Sequence, residues 1–305
     1  MKIILLSDLH LITENPIARI DDLTLVQWEK LNFIFDYANK NGIEHILQAG
    51  DFTDNKRSWN LLQQLSTYLS KQKAKIYLVK GQHDSYYHDM ENQKTTTGIL
   101  ISSGLLTLLN KDPIKLESFS VYGASFGEEV PIPKKSGFNI LVIHSPIGLK
   151  TKNMEYEDAK YFLKKYDYYN LILCGDIHEK FIVHDRKRII CNTGPMLRLE
   201  ATEYNIEHQP CFYLYDSDKT DVSMQIKSID IPTSNGSHVL SREHIKRAQE
   251  KQISFNDFVE KVRNRSETNT INFEDNLKII MKHNKTGNDV KSIIDKFITE
   301  ERNDL

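Results

Sequence analysis

Cysteine is scarce in this chain, which has only Cys174, Cys191 and Cys211 among 305 residues. Three irregularly spaced cysteines are too few for a disulfide framework or a thiolate zinc site, so we expect reduced residues in or beside buried strands. No apolar stretch approaches the length that spans a bilayer. Charge of one sign is not in excess either, because the formal net charge is -2. The net charge therefore gives no indication of a nucleic-acid partner, although a local basic patch would be sufficient to bind nucleic acid.

A leader-like segment is also missing before the first apolar run, which starts at residue 2. Together with the reduced cysteines, this predicts a cytoplasmic protein without a membrane partner, a location that includes a bacterial nucleoid and the cytoplasm of a phage-infected host. The length allows one large domain with an appendage, or two domains.

Five apolar runs, each typical of a β-strand, end in short polar motifs. Residues 2–7 precede Asp8 and His10, residues 43–49 precede Asp51, residues 75–80 precede Gln82, His83 and Asp84, residues 138–143 precede His144, and residues 171–174 precede Asp176 and His178. The carboxyl ends of adjacent strands in an α/β sheet meet at one crevice. We therefore expect these polar side chains to converge although they are far apart in sequence.

The segments between these runs show helical periodicity. Apolar residues recur at three- and four-residue spacing in residues 28–38 and again in residues 59–69, where Trp59, Leu62, Leu65 and Leu69 form the predicted stripe. This is the β-α-β-α-β rhythm of a largely parallel sheet. Alternating runs after residue 180 predict antiparallel hairpins in a second sheet. We expect an α/β fold of two packed mixed β-sheets flanked by helices.

The composition changes near residue 232. Residues 1–232 form the predicted main domain, which contains the strand-end motifs. Residues 233–240 form a predicted linker rich in turn-forming residues, and residues 241–305 a charged helical C-terminal region. Three amphipathic stretches in that region, at 255–262, 277–281 and 290–298, are too short to bury much surface alone. They must pack on the main domain or on a partner.

Seven strand-end side chains are candidate metal ligands: Asp8, His10, Asp51, Gln82, His144, Asp176 and His178. Three carboxylates, three imidazoles and one amide form a mixed oxygen and nitrogen set that suits Mn²⁺, Fe or Zn²⁺. Seven ligands are too many for one ion. If Asp51 bridges two ions, each ion receives four protein ligands and keeps open positions for water and phosphate oxygens.

Two further acids, Asp54 and Asp84, have two interpretations. An aspartate at a strand end is often a turn or helix-cap residue, and it also serves to support a neighbouring ligand. Both alternatives stay open for these two residues. His208 and the other histidines outside the motifs are predicted to be ordinary core or surface residues.

The order of the motifs resembles that of the calcineurin-like metallophosphoesterases. Their signature is Asp-x-His, Gly-Asp-x-x-Asp, Gly-Asn-His-Asp, a lone strand-end His and Gly-His-x-His, and residues 1–180 follow it in order and spacing. The loop with Arg19, Asp21 and Asp22, the motif at 50–54 and the tail after residue 235 are most similar to SbcD-type nucleases of DNA double-strand-break repair. The resemblance implies a four-layer fold and a dinuclear hydrolase.

The resemblance also implies a role for each residue. Asp8, His10, Asp51 and His178 would hold the first ion, and Asp51, Gln82, His144 and Asp176 would hold the second. A water activated by the ions would attack the phosphorus in line. His83 would face the scissile phosphate as a catalytic residue, either stabilising charge or protonating the leaving oxygen. Asp84 would act with it by orienting the imidazole.

The chain departs from the family pattern at two positions, and both belong to the second ion. Gln82 replaces the usual Asn, and Asp176 replaces the first His of Gly-His-x-His. A carboxylate in place of a neutral imidazole lowers the net charge of the loaded site by one unit. We expect a harder second site that favours Mn²⁺, with Mg²⁺ as the alternative, over Zn²⁺. A poorly occupied second site is the competing interpretation.

The subfamily resemblance implies a 3′–5′ exonuclease with single-strand endonuclease activity in DNA repair, recombination or replication. Such nucleases work with an SbcC-like coiled-coil ATPase bound through helices after the nuclease domain, which is the position of residues 241–305. They generally form homodimers through helices near the active site. The alternatives are a metallophosphatase or phosphodiesterase of a small nucleotide or phosphoprotein, and a scaffold subunit without turnover.

Overall fold

The computed structural model describes residues 1–54, 57–85, 94–134, 137–149, 156–243, 245–247, 255, 256, 258, 259 and 273–303. The chain divides into two compact units, Met1–Ser241 and Arg242–Leu305. The strand-end motifs all belong to the first unit.

The first unit alternates strands and helices in its first half and is rich in hairpins in its second. Its strands are β1 (Lys2–Leu6), β2 (His45–Gln48), β3 (Lys75–Leu78), β4 (Thr107–Leu108), β5 (Ile114–Leu116), β6 (Phe119–Ala124), β7 (Phe138–His144), β8 (Ile147–Gly148), β9 (Glu157–Asp158), β10 (Leu171–Gly175), β11 (Phe181–Asp185), β12 (Arg188–Asn192), β13 (Cys211–Asp216) and β14 (Ile226–Asp230). Its helices are α1 (Leu23–Lys40), α2 (Trp59–Leu69), α3 (Thr96–Ser102), α4 (Ala159–Lys165), α5 (Glu203–Glu207), α6 (Val222–Gln225) and α7 (Gly236–Val239).

The strands build two six-stranded mixed sheets. The first has the order β14-β13-β1-β2-β3-β4 and the second the order β11-β12-β10-β7-β6-β5, while β8 and β9 form a separate pair. In the first sheet β1, β2, β3 and β4 are parallel, and β13 runs antiparallel to β1. In the second sheet β6, β7, β10 and β12 are parallel, with antiparallel strands at both edges. The fold of two mixed sheets with flanking helices is confirmed.

Buried side chains alternate between the two faces of each sheet because successive residues of a strand point in opposite directions. On β1, Ile3 and Leu5 belong to a core cluster shared by the two sheets, whereas Ile4 and Leu6 belong to a cluster with the helices α1 and α2. The outer face of the second sheet packs on Phe162 of α4. The layers therefore run helices, sheet, sheet and helix.

Helix α1 begins and ends where its sequence signals place it. The Asp22 side chain caps the N-terminus by accepting from the backbone N–H groups of Thr24 and Leu25. At the other end Asn41 is the C-cap, and Gly42 has φ +63°, the left-handed conformation that glycine adopts most easily. The helix is thereby directed straight into β2.

Two segments differ from the predicted pattern. On α2 the buried residues are Leu61, Leu65 and Leu69, while Trp59 is 82% exposed. Trp59 lies two residues before Leu61 and so points about 200° away from it around the helix, which puts it on the opposite face. Residues 222–225 begin the last of the alternating runs after residue 180, at 222–231, which predict hairpin strands; in the structure they form the short helix α6 before β14.

The segment 233–240, predicted as a linker, packs on the first unit. Val239 and Leu240 are buried, and Leu240 pairs with Arg19 in an isolated β-bridge. Arg198, which is almost fully buried, donates to Thr233 Oγ1 at 3.1 Å and to the Ser234 carbonyl. The first unit therefore extends to residue 241, because these contacts continue past residue 232.

The second unit contains two helices in its described part, Phe273–His283 and Asn288–Asn303. Leu277, Ile280, Met281 and Ile294 bury one another between them. These helices correspond to the second and third predicted amphipathic stretches, whereas much of the first stretch lies outside the described residues. Among the helices that the structure describes, none is long and apolar enough to span a membrane.

Candidate metal centre

All seven candidate ligands lie together at the carboxyl ends of β1, β2, β3, β7 and β10. These are Asp8, His10, Asp51, Gln82, His144, Asp176 and His178, and the polar atoms of each lie within 4.0 Å of those of at least one other member. Parallel neighbours within each sheet bring the motifs to one edge, and the packing of the sheets brings the two edges together. This is the convergence that the sequence predicts.

The backbone at the centre is unusually strained. Asp8, His10 and Asp51 have φ of 47°, 48° and 52°, and Asp176 has φ 92°. Non-glycine residues rarely adopt positive φ, and such conformations cluster at functional sites where surrounding structure holds them. The chain thus turns abruptly after β1, β2 and β10, at residues that supply ligands.

Glycines next to the ligands leave space that no other residue would leave. A Cβ atom on Gly81 would lie 2.0 Å from Asp51 Oδ1, and one on Gly50 would lie 2.3 Å from His144 Nδ1. A Cβ on Gly175 would meet the Ala49 carbonyl at 2.2 Å. The glycines of these motifs are therefore required by the close approach of ligand side chains and backbone.

The first group of ligands consists of Asp8, His10, Asp51 and His178. The Nε2 atoms of His10 and His178 are 3.0 Å apart, and His10 Nε2 lies 3.8 Å from Asp51 Oδ2. Two ligand atoms at about 2.1 Å from one ion and at right angles to each other are about 3 Å apart. The spacing of the two imidazoles fits a shared cation.

The second group consists of Asp51, Gln82, His144 and Asp176. His144 Nε2 lies 2.9 Å from Gln82 Oε1, 3.4 Å from Asp51 Oδ2 and 3.8 Å from Asp176 Oδ1. His144 Nδ1 donates to the Ala49 carbonyl at 2.6 Å. In the neutral ring, Nε2 would then be an acceptor facing three oxygen acceptors. Such an arrangement requires a proton or a cation between the groups, and it fits a metal ion.

Burial and charge support the same conclusion at Asp8. Asp8 is 0% exposed, and within the described part of the chain its Oδ2 atom has no hydrogen-bond donor. Burial raises the pKa of Asp8 to about 7, although the nearby His144 and His10 oppose this. A buried carboxylate oxygen without a donor costs free energy unless a cation compensates it.

Asp51 and His144 form a pair in which each residue shifts the pKa of the other. Burial alone would raise the pKa of Asp51, but its hydrogen bond and charge interaction with His144 lower it to about 2. Burial would lower the pKa of His144, yet Asp51 and Asp8 raise it to about 9. In the protein without ions a proton on His144 thus compensates part of the negative charge, a position that a divalent cation would take over.

His83 lies at the rim of this centre and its side chain is 42% exposed. Its Nδ1 atom is 2.7 Å from Asp54 Oδ1, and its ring packs edge-on against His10 with centroids 4.9 Å apart. The hydrogen bond to Asp54 raises the pKa of His83 against the opposing effect of burial. His83 also has a ring nitrogen near His10 and Asp51 in a group that could hold an ion.

The acid that orients His83 is Asp54 rather than Asp84. Asp84 is 0% exposed, and its carboxylate accepts from the backbone N–H groups of Phe52, Thr53 and Gly81 at 3.1 Å. The prediction that Asp84 orients the imidazole therefore differs from the structure, because these bonds turn its carboxylate toward the loop after β2. Its role is to hold that loop, and hence Asp51, in place.

The two unusual residues of the second group bond to each other. Gln82 Nε2 donates to Asp176 Oδ1 at 2.6 Å while its Oε1 atom stays beside His144. The longer side chain of glutamine reaches the carboxylate that occupies the position of the family histidine. The two departures are therefore a matched pair, and both keep an oxygen available on the side of His144.

Fold and cluster together define a metallophosphoesterase. Residues 1–180, more than half of the chain, match the calcineurin-like phosphoesterase family. The chain belongs to that family, whose members use divalent metal ions to hydrolyse phosphoesters.

Similar solved structures include an archaeal phosphodiesterase, with 12% sequence identity, coverage of 75% of this chain and 99% of that chain, and a TM-score of 0.41. A protein of Thermus thermophilus has 10% identity, coverage of 76% and 99%, and a TM-score of 0.47. Vps29 of Entamoeba histolytica in complex with zinc has 14% identity, coverage of 76% and 100%, and a TM-score of 0.38. Among curated proteins, no sequence matches this chain.

Proposed function

We propose that the protein is a dinuclear metal-dependent phosphodiesterase that cleaves DNA, an SbcD-like 3′–5′ exonuclease with single-strand endonuclease activity. The observation that carries the hydrolytic part is the convergence of two ligand groups that share Asp51, beside the half-exposed His83. The choice of DNA as substrate rests on the motif resemblance to SbcD-type nucleases. Repair, recombination or replication of DNA is the corresponding process.

The ligand groups define the proposed ion positions. Asp8, His10, Asp51 and His178 would hold the first ion, and Asp51, Gln82, His144 and Asp176 would hold the second. Two divalent ions supply Lewis acidity toward the phosphate oxygens and lower the pKa of water to near neutrality. The oxygen-rich second group favours Mn²⁺, with Mg²⁺ as the alternative, because Asp176 replaces a nitrogen ligand.

His83 is the proposed catalytic residue outside the ligand groups. Asp54 engages Nδ1, which leaves Nε2 to meet a phosphate or leaving-group oxygen. Because Asp54 raises the pKa of His83, a larger share of the imidazole is protonated near pH 7 than in an isolated histidine. A protonated ring stabilises the developing negative charge or donates a proton to the leaving oxygen.

The proposed partners are DNA, a second copy of this chain and an SbcC-like ATPase. Self-association through α2 is supported by the exposure of Trp59 beside a cleft of about 700 Å³ that is lined also by Leu62 and Ile99. Binding of the ATPase by the second unit is supported by the exposed apolar side chains of Ile293 and Phe297 on its last helix. Exposed apolar side chains on a short amphipathic helix fit a docking role.

An end-labelled DNA assay tests the proposed activity. Single- and double-stranded substrates are incubated with Mn²⁺, Mg²⁺ or EDTA, using the native chain, Asp51→Asn and His83→Ala. The exposed His184 on β11 gives a matched control, His184→Ala. We expect Mn²⁺-dependent release of nucleotides that EDTA and both site variants abolish and that the control variant retains.

Other outcomes would redirect the proposal. Bound metal and hydrolysis of a small chromogenic diester, without cleavage of DNA, would assign the protein to phosphodiesterases or phosphatases of small nucleotides or phosphoproteins. One bound ion without turnover of either substrate would identify a scaffold subunit. Loss of metal from His83→Ala would show that His83 is a ligand, in line with its position near His10 and Asp51.

A further inference from the structure

Residues 192–196, which begin at the last residue of β12 and continue as a loop, lie between the backbones that carry the first group of ligands. On one side the Met196 N–H donates to the Asp8 carbonyl at 3.1 Å. On the other side Asn192 Nδ2 donates to the carbonyl of Ile177, the residue before His178, at 2.6 Å. This loop therefore sets the distance between the turn at Asp8 and the turn at His178.

Helix α5 closes over the loop with a continuous chain of hydrogen bonds. The Lys180 N–H lies 3.2 Å from Tyr204 Oη, Tyr204 Oη lies 3.1 Å from His208 Nδ1, and His208 Nε2 lies 2.8 Å from the Pro195 carbonyl. These hydrogen bonds thus connect Lys180, two residues beyond His178, with Pro195, the residue before Met196.

The direction of every bond in this chain is determined. Burial lowers the pKa of His208 to about 4, so the ring is neutral at pH 7 and has one donor and one acceptor nitrogen. The Pro195 carbonyl only accepts, so Nε2 donates to it and Nδ1 accepts from the Tyr204 hydroxyl. That hydroxyl oxygen accepts in turn from the Lys180 N–H.

Packing leaves these groups little freedom to move. The rings of Tyr204 and His208 stack with centroids 5.1 Å apart and an interplanar angle of 22°. Gly194 has φ +68°, and a Cβ atom there would lie 3.0 Å from His208 Cε1, 3.2 Å from Tyr204 Oη and 3.3 Å from the His178 carbonyl oxygen. The two rings and the His178 peptide therefore enclose the same glycine.

We propose that Tyr204 and His208 are positioning residues of the first metal site. They form a bracket, here called the Tyr204–His208 bracket, that holds the backbone beyond His178 against the loop that bonds to Asp8. This inference rests on the proposed dinuclear centre. It gives a role in metal binding to His208, which the sequence alone predicts to be an ordinary core or surface histidine.

The bracket determines how well the first group is organised before an ion arrives. Outer partners of metal ligands typically contribute a factor of about 10–100 to metal affinity. Tyr204→Phe keeps the stacked ring and removes only the hydroxyl, so Lys180 and His208 each lose a partner. We expect the dissociation constant of the first ion to rise by about 10–100-fold and that of the second ion to stay unchanged.

Calorimetric titration of the metal-free full chain with Mn²⁺ tests this expectation without reference to turnover. Tyr169→Phe is the matched control, because Tyr169 is also buried and donates to one carbonyl, that of Pro131, at 2.8 Å. The control variant should bind both ions as the native chain does. Thermal unfolding of the two metal-free variants should show similar losses, which separates positioning from general stability.

To identify which ion is affected, Tyr204→Phe is combined with Gln82→Ala, a substitution that removes a ligand of the second site. If the bracket acts on the first site, the double variant Tyr204→Phe/Gln82→Ala binds neither ion with native affinity. If one ion keeps native affinity in the double variant, or if Tyr204→Phe binds both ions normally, the proposal is wrong. Failure of the native chain to bind two ions would instead refute the dinuclear centre itself.

Discussion

Lys30 is a charged group in the core, and its burial predicts an unusual pH dependence of stability. It lies on α1, is 1% exposed, and donates through Nζ to the Met196 carbonyl at 2.7 Å. Burial, followed by the charges of Arg198 and Arg19, lowers the pKa of Lys30 from 10.5 to about 7. The bond to Met196 links α1 to the loop that contacts Asp8.

The size of the effect follows from the difference between the pKa of Lys30 in the unfolded chain, 10.5, and in the folded chain, about 7, which is about 3.5 units. At 1.36 kcal/mol per unit, placing the charged amine in the core costs about 5 kcal/mol below pH 7, where it is protonated in both states. Between pH 7 and 10.5 the unfolded chain binds a proton that the folded chain releases. Stability therefore rises with pH in this window, by up to about 1.4 kcal/mol per unit.

Lys30→Met removes the titrating group while keeping most of its volume. The variant also loses the bond to Met196, which leaves a buried carbonyl without its donor at a cost of about 1–3 kcal/mol. At pH 6 we expect the variant to be more stable than the native chain by about 2–4 kcal/mol. Near pH 10 the advantage should vanish or reverse, since the native amine is then neutral when folded.

Urea unfolding in EDTA, repeated between pH 6 and pH 10, measures this difference. Other titrating groups are common to both proteins, so they cancel when the two free energies of unfolding are subtracted. Lys40→Met, at the exposed end of α1, is the control and should give a small difference that does not depend on pH. A constant difference between Lys30→Met and the native chain across the range would refute the reasoning.

Three further predictions concern the centre and the domain boundary. Asp54→Asn should lower kcat by about 10-fold or more and move the alkaline limb of the pH profile of kcat to lower pH, because the acid that raises the pKa of His83 is lost. An unchanged profile would show that Asp54 does not act through His83. Gly81→Ala should abolish binding of both ions in calorimetry, because its Cβ would displace Asp51, whereas Gly287→Ala, with nothing within 4 Å, should bind them normally. A chain ending at Ser241 should fold and bind metal but should not bind the ATPase. It should also unfold at a higher temperature than a chain ending at Ile231, because the shorter chain lacks the contacts of Arg198 with Thr233 and Ser234. Equal unfolding temperatures would contradict a structural role for residues 232–241.

The ligand groups were predictable from sequence because their information is local. Each ligand follows a short apolar run, and the end of a strand in a parallel sheet is a position that sequence periodicity identifies. The partner of His83 was not predictable in this way. Asp54 and Asp84 both stand in strand-end motifs, and only the backbone N–H groups that Asp84 accepts from decide which acid is free to reach the imidazole.

The outer supports of the site were harder still to predict, because they bring together residues with no shared pattern. The bond from Lys30 to Met196 joins residues 166 positions apart, and no local feature of the sequence of α1 indicates that acceptor. The exposure of Trp59 was also not predictable from sequence, because the expected apolar stripe placed Trp59 on the buried face of α2. Local pattern thus predicts which elements form, whereas tertiary packing decides which of their polar residues are enclosed.

Backbone strain connects the fold to the chemistry of the site. Asp8, His10, Asp51 and Asp176 hold positive φ, and residues in such conformations cost about 1–3 kcal/mol each. Four of them represent a cost of the same order as the whole stability of a typical domain, about 5–15 kcal/mol. Two tightly packed sheets offset this cost and hold the ligand atoms close together before any ion binds. In the proposed centre such a cluster would bind a cation without rearrangement of the backbone, because the cation would offset the charge of the buried carboxylates.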